Sequence, residues 1–517
     1  MKTLITLVAG VLLASSVAGQ SLIFKADDTS TLTVGTSDTR SLFVADLDQD
    51  GDQDMLVINY AQPNLLLENR GDGVLESVLS TGITGISENS YGAAGGDIDG
   101  DGDIDLAIAN GGGQDNSLFR NNGPPSDSWA NRFTNMLLDA VSQGGGDSYA
   151  PLFLDVDGDG DLDLAFANRG EPNFVYRNNG SGSFTQDAVG PVVTDEASSR
   201  GLASGDLDGD GDADLVFANS NDEANFVYLN QGGVQGGTQG DFLGLTGDPA
   251  TTSTSKSFGV SLADWDGDGD LDLFVANRKN QTNELFNNGG SGAFSLAAGQ
   301  APSQAAGDSF AGTFGDADGD GDIDLFVANR NQANFFYVND GASLVSRGNG
   351  PVVLGADDSR LGIFADLDND GSVELAVANT NSQPNDLFRS LLSRWVNLGS
   401  AWQPVPGSIE PSLSAGGDLS GHSWVHYFVD TDVSTSSITL VVGLAQIDLA
   451  FRGGVLVPAP DLLVEGFSTN ASGHLRMSFI IPDILPPELD LYHQVWIVDG
   501  SAPGGLVATN GLRGTTP

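Results

Sequence analysis

Short apolar runs separated by polar, glycine-rich turns recur along most of this chain. The clearest are Leu106-Ala107-Ile108-Ala109-Asn110, Leu164-Ala165-Phe166-Ala167-Asn168 and Leu325-Phe326-Val327-Ala328-Asn329. In several of them a large residue alternates with Ala, so strands are expected, with one face packed more closely than the other. Each follows an acidic loop, and an earlier apolar run ends at that loop: Ser41-Leu42-Phe43-Val44-Ala45, Pro151-Leu152-Phe153-Leu154, Phe258-Gly259-Val260-Ser261-Leu262-Ala263. A short polar loop leads to a third run, such as Asn173-Phe174-Val175-Tyr176 or Asn334-Phe335-Phe336-Tyr337. An Asn-Gly or Gly-Gly turn precedes a weaker fourth, such as Ser183-Phe184-Thr185 or Ala293-Phe294-Ser295. Four strands per unit with regular turn signals predict propeller blades, and an all-β fold.

The acidic loop sets the period. Asp97-Ile98-Asp99-Gly100-Asp101-Gly102-Asp103-Ile104-Asp105 packs five carboxylates into nine residues. Equivalent stretches start at Asp46, Asp97, Asp155, Asp206, Asp264, Asp316 and Asp366, at intervals of 51, 58, 51, 58, 52 and 50 residues. A period in this range belongs to stacked supersecondary units. The seventh copy has no recognisable fourth strand, while Ser21-Leu22-Ile23-Phe24-Lys25 lies unpaired ahead of the first. Pairing the two would close a ring and remove an exposed edge.

Charge narrows the function classes. Lys+Arg total 20 against 70 Asp+Glu, a formal charge of −50. Such a surface repels nucleic acid and anionic membranes. Six loops hold five carboxylates each and the seventh four, nearly half of all the acids. Left bare, each loop repels itself, and its all-oxygen ligand set suits a hard cation, calcium above all. The chain has no cysteine, so neither disulfides nor thiolate metal sites are possible, and calcium loops can supply the cross-linking instead.

Numbered from its first Asp, the loop places carboxylates at positions 1, 3 and 5, a glycine at 6 that calls for positive φ, a carbonyl at 7 and a carboxylate at 9. An EF-hand needs a bidentate Glu at position 12. Here that position holds Val57, Ile108, Phe166, Phe217, Val275, Val327 and Val377, inside the second strand. The loop, its period, its strand context and fragments such as Tyr91-Gly92-Ala93, Phe258-Gly259-Val260 and Phe314-Gly315 resemble the FG-GAP (or VCBS) repeat of integrin α-subunit N-terminal propellers and of many secreted bacterial proteins. The resemblance covers residues 21 to about 390. It implies a seven-bladed propeller with up to seven structural calcium ions, bound by side chains at positions 1, 3, 5 and 9 and by the carbonyl at 7.

Carried onto this chain, the first set is Asp46, Asp48, Asp50 and Asp54 with Asp52 at position 7, and the second Asp97, Asp99, Asp101 and Asp105 with Asp103. The third is Asp155, Asp157, Asp159 and Asp163 with Asp161, and the fourth Asp206, Asp208, Asp210 and Asp214 with Asp212. The fifth is Asp264, Asp266, Asp268 and Asp272 with Asp270, and the sixth Asp316, Asp318, Asp320 and Asp324 with Asp322. The seventh departs from the pattern: Asp366, Asp368 and Asp370 are joined by Ser372 at position 7 and Glu374 at position 9.

All these loops join strand one to strand two and must share one face of the ring. The opposite face collects much of the scarce positive charge: Arg40, Arg169, Arg200, Arg278, Lys279, Arg330 and Arg360. That face is the expected binding surface for an extracellular glycan or protein, in a binding or adhesion module. The rival class is a secreted polysaccharide-degrading enzyme, a lyase or hydrolase. Against it, residues 1–421 contain no His, and the chain has neither HExxH nor GxSxG.

The ends complete the organisation. Residues 1–20 read as a secretory signal, with Lys2 ahead of the apolar Leu4 to Leu13 run and small residues beyond. No later stretch is long and apolar enough to span a membrane, so the expectation is an exported monomer without a membrane span. Residues 21–395 form the expected propeller. Residues 396–517 lack the acidic repeat and are expected to form a small, sandwich-like C-terminal β domain, in which His422 and His426 are surface residues rather than a metal pair.

Overall fold

The computed structural model describes residues 23–390, apart from short stretches at 28–29, 34–36, 72, 79–81, 85–86, 124–128, 130–131, 233–236, 349 and 370; beyond 394 it describes strand backbones only. The expected signal at 1–20 lies outside the described residues, as do the side chains of the C-terminal region, including His422 and His426.

The first unit is an antiparallel sheet in which Thr39–Ala45, Asp54–Pro63, Leu65–Asn69 and Leu75–Val78 pair in that order. Among the described residues the arrangement recurs six more times. The later first strands are Ser87–Gly96, Ser148–Leu154, Glu196–Gly205, Ser257–Ala263, Ser309–Gly315 and Ser359–Ala365. Their partners are Asp105–Asn110, Asp163–Pro172, Asp214–Asn219, Asp272–Asn277, Asp324–Asn329 and Glu374–Asn379. In the last unit the fourth place is taken from the other end of the chain. Phe24–Ala26 pairs with Asp386–Ser390 in the register Phe24↔Ser390 to Ala26↔Phe388.

Among the described residues, seven apolar layers lie between neighbouring units, and the circuit closes. One layer packs Met55, Val57 and Leu67 of the first unit against Leu367, Ala376 and Leu387 of the last. The other side of the same strand, through Leu56 and Ile58, packs on Leu106, Ile108 and Phe119 of the second unit. Each second strand is sandwiched between two neighbours, so its first six residues are buried without alternation. This is a β-propeller, with its core divided into inter-blade layers.

Polar side chains fasten the blades at both ends. At the end of each second strand an Asn accepts from a buried hydroxyl of the first strand, as in Ser148 Oγ to Asn168 Oδ1 at 2.7 Å and Ser309 Oγ to Asn329 Oδ1 at 2.7 Å. At the end of the third strand another Asn donates to a carbonyl of the preceding blade's acidic loop: Asn121 to Leu47 at 2.9 Å, Asn178 to Ile98 at 2.7 Å, Asn230 to Val156 at 2.8 Å. Asn69 donates to Leu367 at 2.7 Å and so carries this chain of bonds across the closure.

The stretch between the second and third strands, expected to be loop, is partly strand. In the first and third units the second strand runs on and pairs with the next blade (Tyr60↔Asn89, Arg169↔Ser198). Two-residue pairings do the same elsewhere, as between Gln281–Thr282 and Ala306–Gly307. Backbone groups there would otherwise be left unpaired at the blade junction.

Strands from Trp395–Asn397 onward pair with one another and, among the described residues, with no earlier strand. One sheet includes Ser437–Gly443, Leu462–Ser468 and Asp490–Val498; another holds Ser412–Gly416, Trp424–Asp430 and Leu475–Ile480.

Candidate functional sites at the two ends of the ring

At one end stand the acidic loops. The position-6 glycines adopt φ between 90° and 97° in all seven, from Gly371 at 90° to Gly51 at 97°, a conformation costly for a residue with a Cβ. This turn lets amide groups converge on the first carboxylate: Gly100 and Gly102 donate to Asp97 at 2.8 and 2.9 Å. Carboxylates of positions 1, 3 and 5 or 9 gather into clusters whose ligand oxygens lie within 4.8 Å of one another, including Asp97–Asp99–Asp101, Asp155–Asp157–Asp163 and Asp264–Asp266–Asp272. Asp99 Oδ1, Asp157 Oδ1 and Asp210 Oδ2 are buried without a hydrogen-bond partner. Converging carboxylates with unsatisfied buried oxygens fit a cation. Asp370 lies outside the described residues.

The position-9 carboxylate anchors the loop as well. Asp105 Oδ2 accepts from the Ile98 amide at 3.0 Å and Oδ1 from the Asn121 amide at 2.6 Å, tying the loop to the third strand; Glu374 repeats this with Leu367 and Ser390 at 2.9 and 3.2 Å. Burial pushes these acids up despite the amide donors, which pull the other way: Asp163 to about 6, Asp105, Asp214 and Asp272 to about 7, Asp54 to about 8, with Asp324 raised further still. Loop neighbours add to the rise, as Asp48 and Asp50 do for Asp54. Position 7 differs. A Cβ on Gly290 would meet the Asp270 carboxylate at 2.7 Å, and one on Gly71 would meet Asp52 at 2.8 Å. These side chains lie against the hairpin turn after the third strand.

The loops are not equivalent. The residue before the third-strand Asn faces position 3: Arg120 pairs with Asp99 at 3.0 Å, Arg177 with Asp157 at 3.3 Å, and Asn287 donates to Asp266 at 2.9 Å.

At the other end, every first strand carries a β-bulge. Pairing skips one residue after the buried Ser or Thr: Arg40, Tyr91, Tyr149, Arg200, Phe258, Phe310 and Arg360 in the seven units. A bulge re-aims its extra side chain, and here all seven line one cavity of about 450 Å³ around the ring axis, joined by Arg278. They form a belt. Arg360 lies 3.7 Å from the Phe310 ring, Arg278 4.0 Å from Phe310 and 4.6 Å from Phe258, and Arg200 4.9 Å from Phe258 and 4.0 Å from Tyr149. The Tyr149 and Tyr91 rings pack 4.0 Å apart, tilted by 33°, and Arg40 lies 5.7 Å from Tyr91. Six residues of extended strand separate Arg40 from Asp46, about 20 Å.

In the second, fourth and fifth blades, close approach of the first strands needs the glycine after the bulge. A Cβ on Gly92 would sit 2.7 Å from the Tyr149 carbonyl, and one on Gly201 2.8 Å from that of Phe258.

Of the arginines expected at this end, Arg40, Arg200, Arg278 and Arg360 line the cavity. Arg169 and Arg330 do not; they sit farther out, half exposed and facing Asp147 at 3.3 Å and Asp358 at 3.4 Å. Lys279 is exposed, and its backbone amide donates to Asp308. The four aromatic members of the belt escaped sequence reasoning, although Tyr91-Gly92 and Phe258-Gly259 were visible as aromatic-Gly fragments. The missing signal was the shared position one residue after a Ser that precedes the first strand's apolar run.

Closed blades with acidic loops at one end and an axial cavity at the other define a repeat-built β-propeller with ion-binding geometry. The chain belongs to the FG-GAP-like repeat family, whose pattern matches residues 46–108, 97–166, 155–217, 206–275, 264–327 and 316–377. It is also 32% identical over 128 residues to cartilage acidic protein 1 of Mus musculus, a match spanning 24% of this chain and only 19% of that protein. Similar solved structures include an Agrocybe aegerita lectin recognising non-reducing terminal N-acetylglucosamine (TM-score 0.42, 18% identity, 69% of this chain and 86% of that one). Another is the rhamnogalacturonan lyase YesW (TM-score 0.37, 14% identity, 68% and 72%). No helix among the described residues is long and apolar enough to cross a membrane.

Proposed function

We propose that this protein is an exported, calcium-stapled binding module that engages a glycan or protein ligand at the propeller face away from its acidic loops, with residues 396–517 forming a separate β domain. The observation that carries the reading is the belt. A chain of charge −50 gathers four arginines and four aromatic rings around one axial cavity. Arg40, Arg278 and Arg360 are held by Asp38, Asp308 and Asp358, so the guanidinium groups are fixed in place around the cavity as hydrogen-bond donors and local positive charge for an occupant. Calcium would be held by positions 1, 3, 5 and 9 of each loop. It would supply the positive charge that lets the loop carboxylates converge, and so hold the first and second strands of each blade together. Extracellular modules bind calcium at about 10⁻⁴–10⁻³ M, a range that suits an exported protein.

The test is a panel of glycans and extracellular proteins against the calcium-loaded protein, with product release followed in the same samples. Saturable binding without turnover, weakened by Arg278→Ala, supports the reading. Released oligosaccharide would replace it with the enzyme alternative, and no binding anywhere would leave the ring a structural part.

A further inference from the structure

Arg40, Arg200 and Arg360 occupy the same repeat position and bulge, but their surroundings differ. Two residues before Arg40 stands Asp38, which holds it at 2.8 Å. Two residues before Arg360 stands Asp358, at 3.4 Å. Two residues before Arg200 the repeat has Ser198 instead of an acid. Asp147 of the neighbouring blade, the acid whose charge acts on Arg200, is engaged by Arg169 at 3.3 Å. Among the described residues Arg200 has no ion pair or hydrogen bond, and its Nε is buried without a partner. The guanidinium is held between the Tyr149 and Phe258 rings, at 4.0 and 4.9 Å, and borders the cavity. A buried cation left with an empty donor fork is costly, and rings stacked on its faces leave the in-plane N–H groups free for an incoming planar anion.

Resting on the binding reading above, we propose that Arg200 is the anion receptor of this cavity and that the ligand is the carboxylate-bearing terminal residue of an acidic saccharide. The cavity of about 450 Å³ lies within the common range for small-ligand sites and is ringed by residues of all seven first strands with an open mouth, a shape that suits a chain end better than the middle of a polymer. The Arg200 fork matches a carboxylate bidentately, and the aromatic side chains that hold it line the cavity with apolar surface against which a pyranose can pack. Peptides are commonly read along a sheet edge or an extended groove, and a ring of side chains around one axis provides neither.

The experiment uses the full calcium-loaded chain and titrates digalacturonate, the matching neutral disaccharide and a hexaglutamate peptide by calorimetry. The acidic disaccharide is expected to bind at least tenfold tighter than the neutral one. Arg200→Met should weaken it at least tenfold, and Arg200→Lys by less. Ser198→Asp, which installs the acid that Arg40 and Arg360 already possess, should abolish binding with the melting temperature retained; Asp147, beside Glu171, shows that this repeat position tolerates an acid there. Equal binding of the neutral and acidic disaccharides, unchanged affinity in both Arg200→Met and Ser198→Asp, or preference for hexaglutamate would each overturn the proposal. If a neutral glycan or a protein binds and is weakened by Arg278→Ala but not by Arg200→Met, the receptor assignment fails and the general binding reading survives. If neither these probes nor the broad panel bind, both fail.

Discussion

The two ends of the ring are built from the same repeat, yet they diverge in opposite ways. At the acidic end, chemistry repeats along with backbone: Asp recurs at positions 1 and 3, and position 9 is always acidic. At the axial end the bulge recurs in every blade, but its residue changes from Arg to Tyr to Phe. Geometry explains the difference. Each acidic loop gathers its own carboxylates within one blade, so every copy faces the same charge repulsion. The bulge residues converge on one axis and make a single composite site, where copies are free to specialise as long as the whole cup works. Divergence within a repeat protein therefore points to the place where the repeats meet.

The comparison is broken most forcefully by removing calcium. One site at a hundredfold excess over its dissociation constant contributes about 2.7 kcal/mol, so chelation of several sites should lower the melting temperature on the order of 10 °C or more. An unchanged melt in EDTA, with no calcium by elemental analysis, would leave the loops as acidic turns. A pH series in chelator sharpens this. The position-9 acids are raised in the fold, from 3.8 to about 6 for Asp163 and about 8 for Asp54. Their folded state binds the extra proton, so the ion-free ring should be most stable near pH 4 and lose stability as pH climbs toward 8. Added calcium should reverse the trend, because protons then compete with the ion. A calorimetric melt at several pH values checks both signs.

Next in size is the closure. Phe24 is 2% exposed and packs on Phe336 at 5.9 Å, so Phe24→Ala should cost about 3–5 kcal/mol. Denaturation showing no loss would mean the ring holds without its N-terminal strand.

Smaller effects separate the arginines. Arg360→Met leaves Asp358, a fully buried acid, with a partner missing and should cost about 2–3 kcal/mol, at the low end for a broken buried pair because Arg330 also approaches it. Arg200→Met removes an unpaired cation and should change stability by no more than about 0.5 kcal/mol, or raise it. Equal losses in urea unfolding would erase the distinction. The least effect belongs to position 7. Asp270→Asn keeps the backbone carbonyl and alters only a side chain turned toward Gly290, so calcium affinity should fall less than about threefold. A larger drop by calorimetry would make that carboxylate a ligand.

Much of this was legible in the chain itself. Asp-rich loops every 50 to 58 residues announce the blade, because charge density and glycine placement are local properties. Runs such as Leu106-Ala107-Ile108-Ala109 announce the second strand, though not that both of its faces are buried. The Asn staples were hidden in plain residues. Asn121 looks like an ordinary turn former until the carbonyl of Leu47, 74 positions away, is seen to accept a hydrogen bond from its side-chain amide.

Sequence alone determined the unit: its four strands, its period, its acidic loop and the need for positive φ at the loop glycine, all set by interactions within a few residues. Tertiary structure alone decided the site. Which residue faces the axis depends on a one-residue bulge, and strand register cannot be read from alternation where the pattern slips. Whether an arginine is paired or open depends on an acid two residues before it, as for Arg40 and Arg360, and on acids brought beside it by the next blade, as Asp308 is beside Arg278. Arg200 and Arg360 differ in the sequence by one residue, Ser198 against Asp358; only the packing of neighbouring blades, which engages Asp147 with Arg169 and sets the Tyr149 and Phe258 rings on Arg200, leaves Arg200 open while Arg360 is satisfied.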